Sequence, residues 1–275
     1  MPELPEVETV RATLEAQLQS RVIEDVNVLW RKIVDQELDE FKRICHQRII
    51  KYDRYGKYLL FRCEDVTLIV HLRMEGKFYI LEDEKPYDKH VHVIFKLDNG
   101  KYLQYHDTRK FGRMKVIDND QVEYYLQSKN LGKDAIDESV DPLDLYKKWH
   151  MKKIHLKKML LDQSFLAGIG NIYADEICFS CGLDPVSRVY DLSKKDFENI
   201  VFHTQRILKG AIASGGTTIR SYTSSLGVNG LFQLKLKVHA QKTCQVCHGP
   251  VEKFICDGRG TYRCVRCQKK KRRRG

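Results

Sequence analysis

Two Cys-x-x-Cys pairs, Cys244–Cys247 and Cys264–Cys267, stand sixteen residues apart. Each pair can aim two sulfurs at one ion, and two pairs make a tetrahedral four-thiolate site. Zinc suits that donor set. Four ligands leave no open position, so one structural Zn2+ is expected, fixing a hairpin too small to hold itself. The alternative is four buried thiols. Cys178-Phe-Ser-Cys181 has the same spacing but no partner pair; with Cys45, Cys63 and Cys256 it reads as core.

Between the cysteine pairs lies Gly258-Arg259-Gly260. A guanidinium in a metal-anchored turn can grip a phosphate through two hydrogen bonds; a solvated turn is the plain alternative. Residues 160–176, LLDQSFLAGIGNIYADE, read as helix, glycine-rich turn and helix. Asn171 would open the second helix, where exposed N–H groups favour an anion. Lys153 and Lys157 lie upstream, four apart on an expected helix face. A phosphate-gripping turn and an ordinary packing corner fit this stretch equally. HLRMEGKF (71–78) and HDTRKFG (106–112) read as strand ends entering turns, from which Met74, Arg109 and Phe111 could project. Such side chains can enter DNA and fill the space of a displaced base. By themselves Met74 and Phe111 fit a core as well.

The chain opens MPELPEVETV. Methionine aminopeptidase removes Met before a small second residue, proline included, so the mature chain is expected to begin at Pro2. A terminal amine titrates near pH ~8, so part of it is unprotonated at neutral pH. A secondary amine can attack an electrophilic carbon and give a charged iminium, a strong electron sink. Glu3 could then deliver or remove protons. The competing reading is a helix start, where proline is favoured and acids suit the dipole.

Several elements must hold these groups. Leu4, Val7, Val10, Leu14 and Leu18 fall at helical spacing. Residues 22–118 hold short runs rich in Val, Ile, Tyr and Phe (VIEDVNVLW, RIIKYD, KYLLF, VTLIVHL, VHVIFKL, KYLQYH, RMKVI), separated by turns such as DNG and EGK. They read as an antiparallel sandwich or barrel. Helices are expected over 120–129, 141–151, 153–162, 171–180 and 193–214. The fold class is α+β: an N-terminal helix with a β-sandwich domain (1–130), a linker (131–140), a helical domain (141–231) and a cysteine hairpin with a basic tail (232–275).

Charge follows this division. Residues 235–275 carry 13 Lys and Arg against 2 acids, while the other 234 residues carry 35 of each. A basic excess confined to one end points to a polyanion, most often nucleic acid. A solvated tail would account for Lys269–Arg274 alone. No apolar stretch approaches the ~20 residues of a membrane span, and the acidic start is unlike a signal sequence. Nine cysteines without an export signal suggest thiols or metal ligands. A cytoplasmic protein is expected.

PELPEVETV, GKYLLF, HLRMEGKF, RKFG, AGIGNIYADE, SGGTTIRSY and the CxxC…GRGTYRCVRC end occur in one order across nearly the whole chain. In this the chain resembles the formamidopyrimidine-DNA glycosylases, bacterial enzymes that excise oxidised purines. The resemblance implies a β-sandwich with the N-terminal helix, a helix–two-turn–helix domain with a zinc hairpin, and DNA in the cleft between them. It implies a nucleophile at Pro2, an acid at Glu3 that helps open the sugar ring, and a supporting carboxylate at Glu6. Lys57 resembles the lysine of β-elimination, and Arg259 the phosphate-gripping arginine linked to δ-elimination. Asn171, His71, His90, Lys153 and Lys157 match phosphate contacts. Met74, Arg109 and Phe111 match the intercalating trio. Residues 215–224 match a loop over the everted lesion, which makes Thr217, Thr218, Ile219, Arg220, Ser221 and Tyr222, with Glu75, the implied lesion pocket. Damaged double-stranded DNA is the implied partner, bound by a monomer, with no catalytic metal.

Two positions depart from the family pattern. His239, in KVHAQ, stands where the family usually has a DNA-facing tyrosine, and LGKDA (131–135) lacks the usual linker prolines. Two other functions share the resemblance: the same fold acting on oxidised pyrimidines, and a catalytically silent DNA-binding protein. The PELPE start speaks against the first. Intact Pro2, Glu3 and Lys57 speak against the second, because binding alone needs no terminal amine.

Overall fold

The computed structural model describes residues 1–216 and 235–272. The described chain divides into two compact units: 1–129 with 215–216, and 130–214 with 235–272.

The first unit begins with α1 (Leu4–Leu18). Glu3 and Glu6 form a reciprocal capping box at its start, and Pro5 sits in the first turn. Leu4, Val7, Val10, Leu14 and Leu18 are all buried, as the spacing predicts. Eight strands follow: β1 (Val22–Val28), β2 (Gln47–Tyr55), β3 (Tyr58–Cys63), β4 (Val66–His71), β5 (Lys77–Leu81), β6 (Val91–Leu97), β7 (Tyr102–His106) and β8 (Arg113–Asp118). A short α2 (Leu38–Phe41) precedes β2, and α3 (Val122–Ser128) closes the run. The strand order is β5-β7-β6-β1-β2-β3-β4-β8, antiparallel throughout. β1 and β2 pair over only two positions, Val22↔Arg48 and Ile23↔Gln47. There the sheet folds over, and Phe61 of β3 meets Phe78 of β5 edge-on at 5.6 Å, although those strands are not neighbours in the order. The result is the expected sandwich, its core shared by both layers and the inner face of α1. β5 is a strand beyond those expected from the sequence, because KFYIL follows the EGK turn without a break.

The second unit holds α4 (Pro142–Trp149), α5 (Leu156–Leu161), α6 (Asn171–Ser180), α7 (Lys194–Ala213) and a hairpin of β9 (Val251–Cys256) and β10 (Arg259–Cys264). Asp141 caps α4 through the Leu143 N–H, and Ser193 with Asp196 makes a capping box on α7. Gln163 braces the turn between α5 and α6. Its Nε2 donates to the carbonyls of Leu161 and Ile169, and its Oε1 accepts from Gly168. Residues 131–140 are laced to that turn by Gly132 N–H to Gln163 O, Ala135 N–H to Ala167 O and Ala167 N–H to Lys133 O. The basic tail is partly tethered. Lys269 N–H donates to Gly182 O, and Lys271 Nζ lies 3.0 Å from Asp196. No helix among the described residues is long and apolar enough to cross a membrane.

Candidate active site and nucleic-acid interface

The opening residues are not a frayed end. Pro2 is buried, Glu3 is 2% exposed and Glu6 5%. The Glu3 N–H donates to Glu6 Oε2 at 2.9 Å. The two carboxylates are thereby fixed at the helix N-terminus, where the backbone dipole favours negative charge. Gly216 lies against them: a Cβ there would come within 3.1 Å of Glu6 Oε1, and its φ of +76° suits glycine. Thr217 to Tyr222, the implied lesion pocket, lie outside the described residues.

Lys57 is 7% exposed and sits in the β2–β3 turn beside Gly56, whose φ is +56°. Arg54 ties that turn to α1. Its Nε bonds Glu8 at 2.9 Å, and its Nη1 donates to Gly56 O at 3.0 Å. His71, across from Tyr58 in the β3–β4 pairing, is close enough to Lys57 to feel its charge. Burial first, then Arg73 and Lys57, lower its imidazole from 6.5 to about 3. The Arg73 N–H donates to His71 Nδ1 at 3.0 Å, so the neutral ring carries its proton on Nε2. To a phosphate it offers a neutral donor. The unfolded chain takes up this proton as pH falls through ~6.5, whereas the folded ring does not until about 3. The neutral ring therefore supports the fold above pH ~6.5, and that support is lost progressively toward pH 3. Ring resonances should keep the neutral pattern from pH 8 to 5 by ¹H–¹⁵N NMR. A titration with a midpoint near 6.5 would place the ring in water.

Met74, Arg109 and Phe111 stand on two turns that share a base. Phe111 is 48% exposed, outside the core, with the Arg109 guanidinium 4.9 Å from its ring centre; Met74 is half-buried. Asp107, fully buried, accepts N–H bonds from Arg109, Phe111 and Gly112 at 3.0, 3.0 and 2.8 Å. Thr108 Oγ1 donates to Glu75, joining this turn to the Met74 turn. A Cβ on Gly76 or Gly112 would fall 2.2 or 1.8 Å from the Tyr105 hydroxyl, so neither turn admits a side chain there. Sequence reading missed Asp107 and Tyr105. The available signal was an Asp two residues ahead of Arg109 in a turn that needs its N–H groups satisfied. His90 is half-buried. Asp88 accepts its N–H, and His106 packs against its ring.

In the second unit, Arg259 is exposed at the start of β10. Asn171 opens α6, and its Nδ2 donates to Gly260 O at 3.0 Å. Lys153 is exposed in the segment before α5, so it shares no helix face with Lys157. Lys157 corrects the sequence reading further. It is fully buried, and its ammonium bonds Asp175 at 2.7 Å, Gly260 O at 3.0 Å and Thr261 Oγ1 at 2.9 Å. Its three protons are all engaged inside the protein. It sets the backbone beside Arg259 and is not a phosphate contact. Asp175 also accepts from His239 Nδ1 at 2.7 Å, and His239 packs edge-on against Tyr262. At 8% exposure His239 is turned into this network, unlike a DNA-facing tyrosine. Glu176 receives the N–H groups of Lys237, Val238 and His239, fastening the lead-in to the hairpin.

The four sulfurs of Cys244, Cys247, Cys264 and Cys267 lie within 4.8 Å of one another. Two of the sulfur pairs stand 3.9 Å (Cys244–Cys267) and 3.4 Å (Cys247–Cys264) apart. A tetrahedron with metal–sulfur bonds of ~2.3 Å sets sulfurs ~3.8 Å apart, so the cluster fits a metal ion. Phe179 of α6 packs on it. Cys178 and Cys63 are buried core thiols, as expected.

Residues 1–114 match the formamidopyrimidine-DNA glycosylase N-terminal domain, and residues 131–223 the formamidopyrimidine-DNA glycosylase H2TH domain. The chain is 41% identical to the formamidopyrimidine-DNA glycosylase of Bacillus licheniformis, covering 98% of this chain and 100% of that one. It is 42% identical to that of Streptococcus mutans, with 98% and 100% covered. Among solved structures, a Lactococcus lactis enzyme in complex with abasic-site DNA superposes with a TM-score of 0.92 at 34% identity, covering 98% of this chain and 100% of that one. A mutant of the same enzyme with Fapy-dG DNA gives 0.93, also at 34% identity and with the same coverage. The ordered motifs, the buried acidic start and these matches across the whole chain agree: the protein belongs to the formamidopyrimidine-DNA glycosylase family.

Proposed function

We propose that this protein excises oxidised purines, 8-oxoguanine and formamidopyrimidines, from duplex DNA and then cleaves the abasic strand by β,δ-elimination. The carrying observation is the buried Pro2-Glu3 start, with Glu6 capped against it and the Lys57 turn tied to the same helix through Arg54 and Glu8. With Met1 removed, the Pro2 amine attacks C1′ of the damaged nucleotide, and the bond to the base breaks. Glu3 gives a proton that helps open the sugar ring, leaving an iminium. That cation acidifies the C2′ proton, so the two flanking phosphates leave in turn. Lys57 serves the first elimination, and Arg259 grips phosphate for the second.

Reaching C1′ requires the nucleotide to leave the stack, which takes a few kcal/mol of unstacking. Met74, Arg109 and Phe111 offset this by filling the gap. Exposed Phe111, on a turn where Asp107 holds the N–H groups of Arg109, Phe111 and Gly112, suits insertion into DNA. His71, His90, Lys153 and Asn171 contact the DNA backbone, and Glu75 belongs to the lesion pocket, whose other members, residues 217–222, lie outside the described residues. The four cysteines hold Zn2+, which fixes the Arg259 hairpin. The enzyme acts as a monomer on chromosomal DNA in the bacterial cytoplasm.

Borohydride trapping tests the reading. A duplex carrying 8-oxoguanine opposite cytosine, incubated with the protein and reduced, should give a covalent band that peptide mapping places at Pro2. A protein with a free terminal Pro2 that binds this duplex and yields no band would instead be a DNA-binding member without lyase chemistry.

A further inference from the structure

We propose that His155, Cys256 and Asp257 form a second divalent-cation site at the tip of the β9–β10 hairpin, separate from the four-cysteine cluster and suited to a borderline ion such as Zn2+. Three different ligand atoms converge there. His155 Nδ1 lies 2.9 Å from Asp257 Oδ2, and Cys256 Sγ lies 3.9 Å from that nitrogen and 3.7 Å from that oxygen. Tetrahedral zinc with ordinary bond lengths sets such donors about 3.3–3.6 Å apart. The sulfur pairs are slightly wide of this, and the hydrogen-bonded pair is slightly tight. Small side-chain rotations bring all three onto one ion.

The backbone holds the triangle in place. Cys256 pairs with Arg259 across a two-residue turn, Asp257-Gly258, with φ of +47° and +77°. This is the Asp-Gly loop that tight hairpins favour. His155 comes from a segment a hundred residues earlier, bridged to Arg188 just ahead of α5. A His–Asp ion pair alone would need no third donor, yet the Cys256 sulfur contacts both partners. Cys256 forms the floor at 4% exposure, and the His155 and Asp257 side chains, at 24% and 32%, leave the ion a way in. Three protein ligands leave one position for water, so this site is weaker than the four-thiolate one and is emptied first by a chelator. When filled, it pins the hairpin tip, two residues before Arg259, to the start of α5.

The test counts metal on the full-length protein. After dialysis against buffered Zn2+, mass spectrometry should find two equivalents per chain, and one in His155→Ala and Cys256→Ala. Asp257→Asn, at an exposed turn position that does not endanger folding, should weaken the second equivalent by more than the about 10–100-fold that losing an outer-shell partner costs. The first should be unchanged. Titration with Co2+ gives an independent reading: the second equivalent should add a weak one-thiolate charge-transfer band absent from Cys256→Ala. Saturation of the unaltered protein at one equivalent overturns the proposal. So does a second equivalent that all three variants retain.

Discussion

Replacing Glu3 by glutamine is expected to slow excision of 8-oxoguanine by about 10²–10⁴-fold, the usual span for losing a positioned proton donor. Binding to a duplex with an uncleavable abasic analogue should change little. The substitution separates two roles of one side chain. Glu3 caps α1 by accepting the Glu6 N–H, and a glutamine carbonyl can accept the same bond. Shape and the accepted cap bond survive, while the exchangeable proton, and with it the capacity for charge, is lost. Single-turnover kinetics with a thermal melt decide the matter. A full-rate variant removes Glu3 from the chemistry. A variant that melts several degrees lower would show that the carboxylate was needed as a cap.

Lys157→Met should destabilise the second unit by about 3–5 kcal/mol, because it leaves half of a buried ion pair behind. The Lys157 and Asp175 side chains are 1% and 0% exposed. For a unit of this size the melting temperature should fall on the order of 10 °C. Pairing it with Asp175→Asn should cost less than the two single changes together, since the uncompensated charge is gone. The same lysine holds Gly260 O and Thr261 Oγ1, and Thr261 in turn donates to the Arg259 carbonyl. The second strand cut should therefore weaken more than base release. Calorimetry of the singles and the double measures the coupling. An unchanged melt would mean that the ammonium is not buried.

What could be read from sequence followed how local the information was. The α1 face, most strands and the cysteine quartet follow short-range spacing, and each stands where the spacing puts it. Lys157 could not be read that way. In LKKMLL nothing distinguishes the buried lysine from exposed Lys158, because its partners lie 18 and about 100 residues away. His239 is similar, since its turn inward depends on Asp175, 64 residues earlier. Asp107 was hidden differently: the sequence showed the projecting residues of its turn but not the buried group that shapes it.

The shared base of the Met74 turn and the Arg109–Phe111 turn also bears on redesign. Gly76 and Gly112 abut one tyrosine hydroxyl, and Asp107 occupies the N–H groups behind Arg109 and Phe111. The frame is thus specified by four positions whose side chains do not project. Met74, Arg109 and Phe111 become a variable cassette on an invariant mount. A combinatorial library confined to those three positions should yield mostly folded enzymes with altered preference for the opposing base. A library that spreads into the mount should yield mostly aggregates.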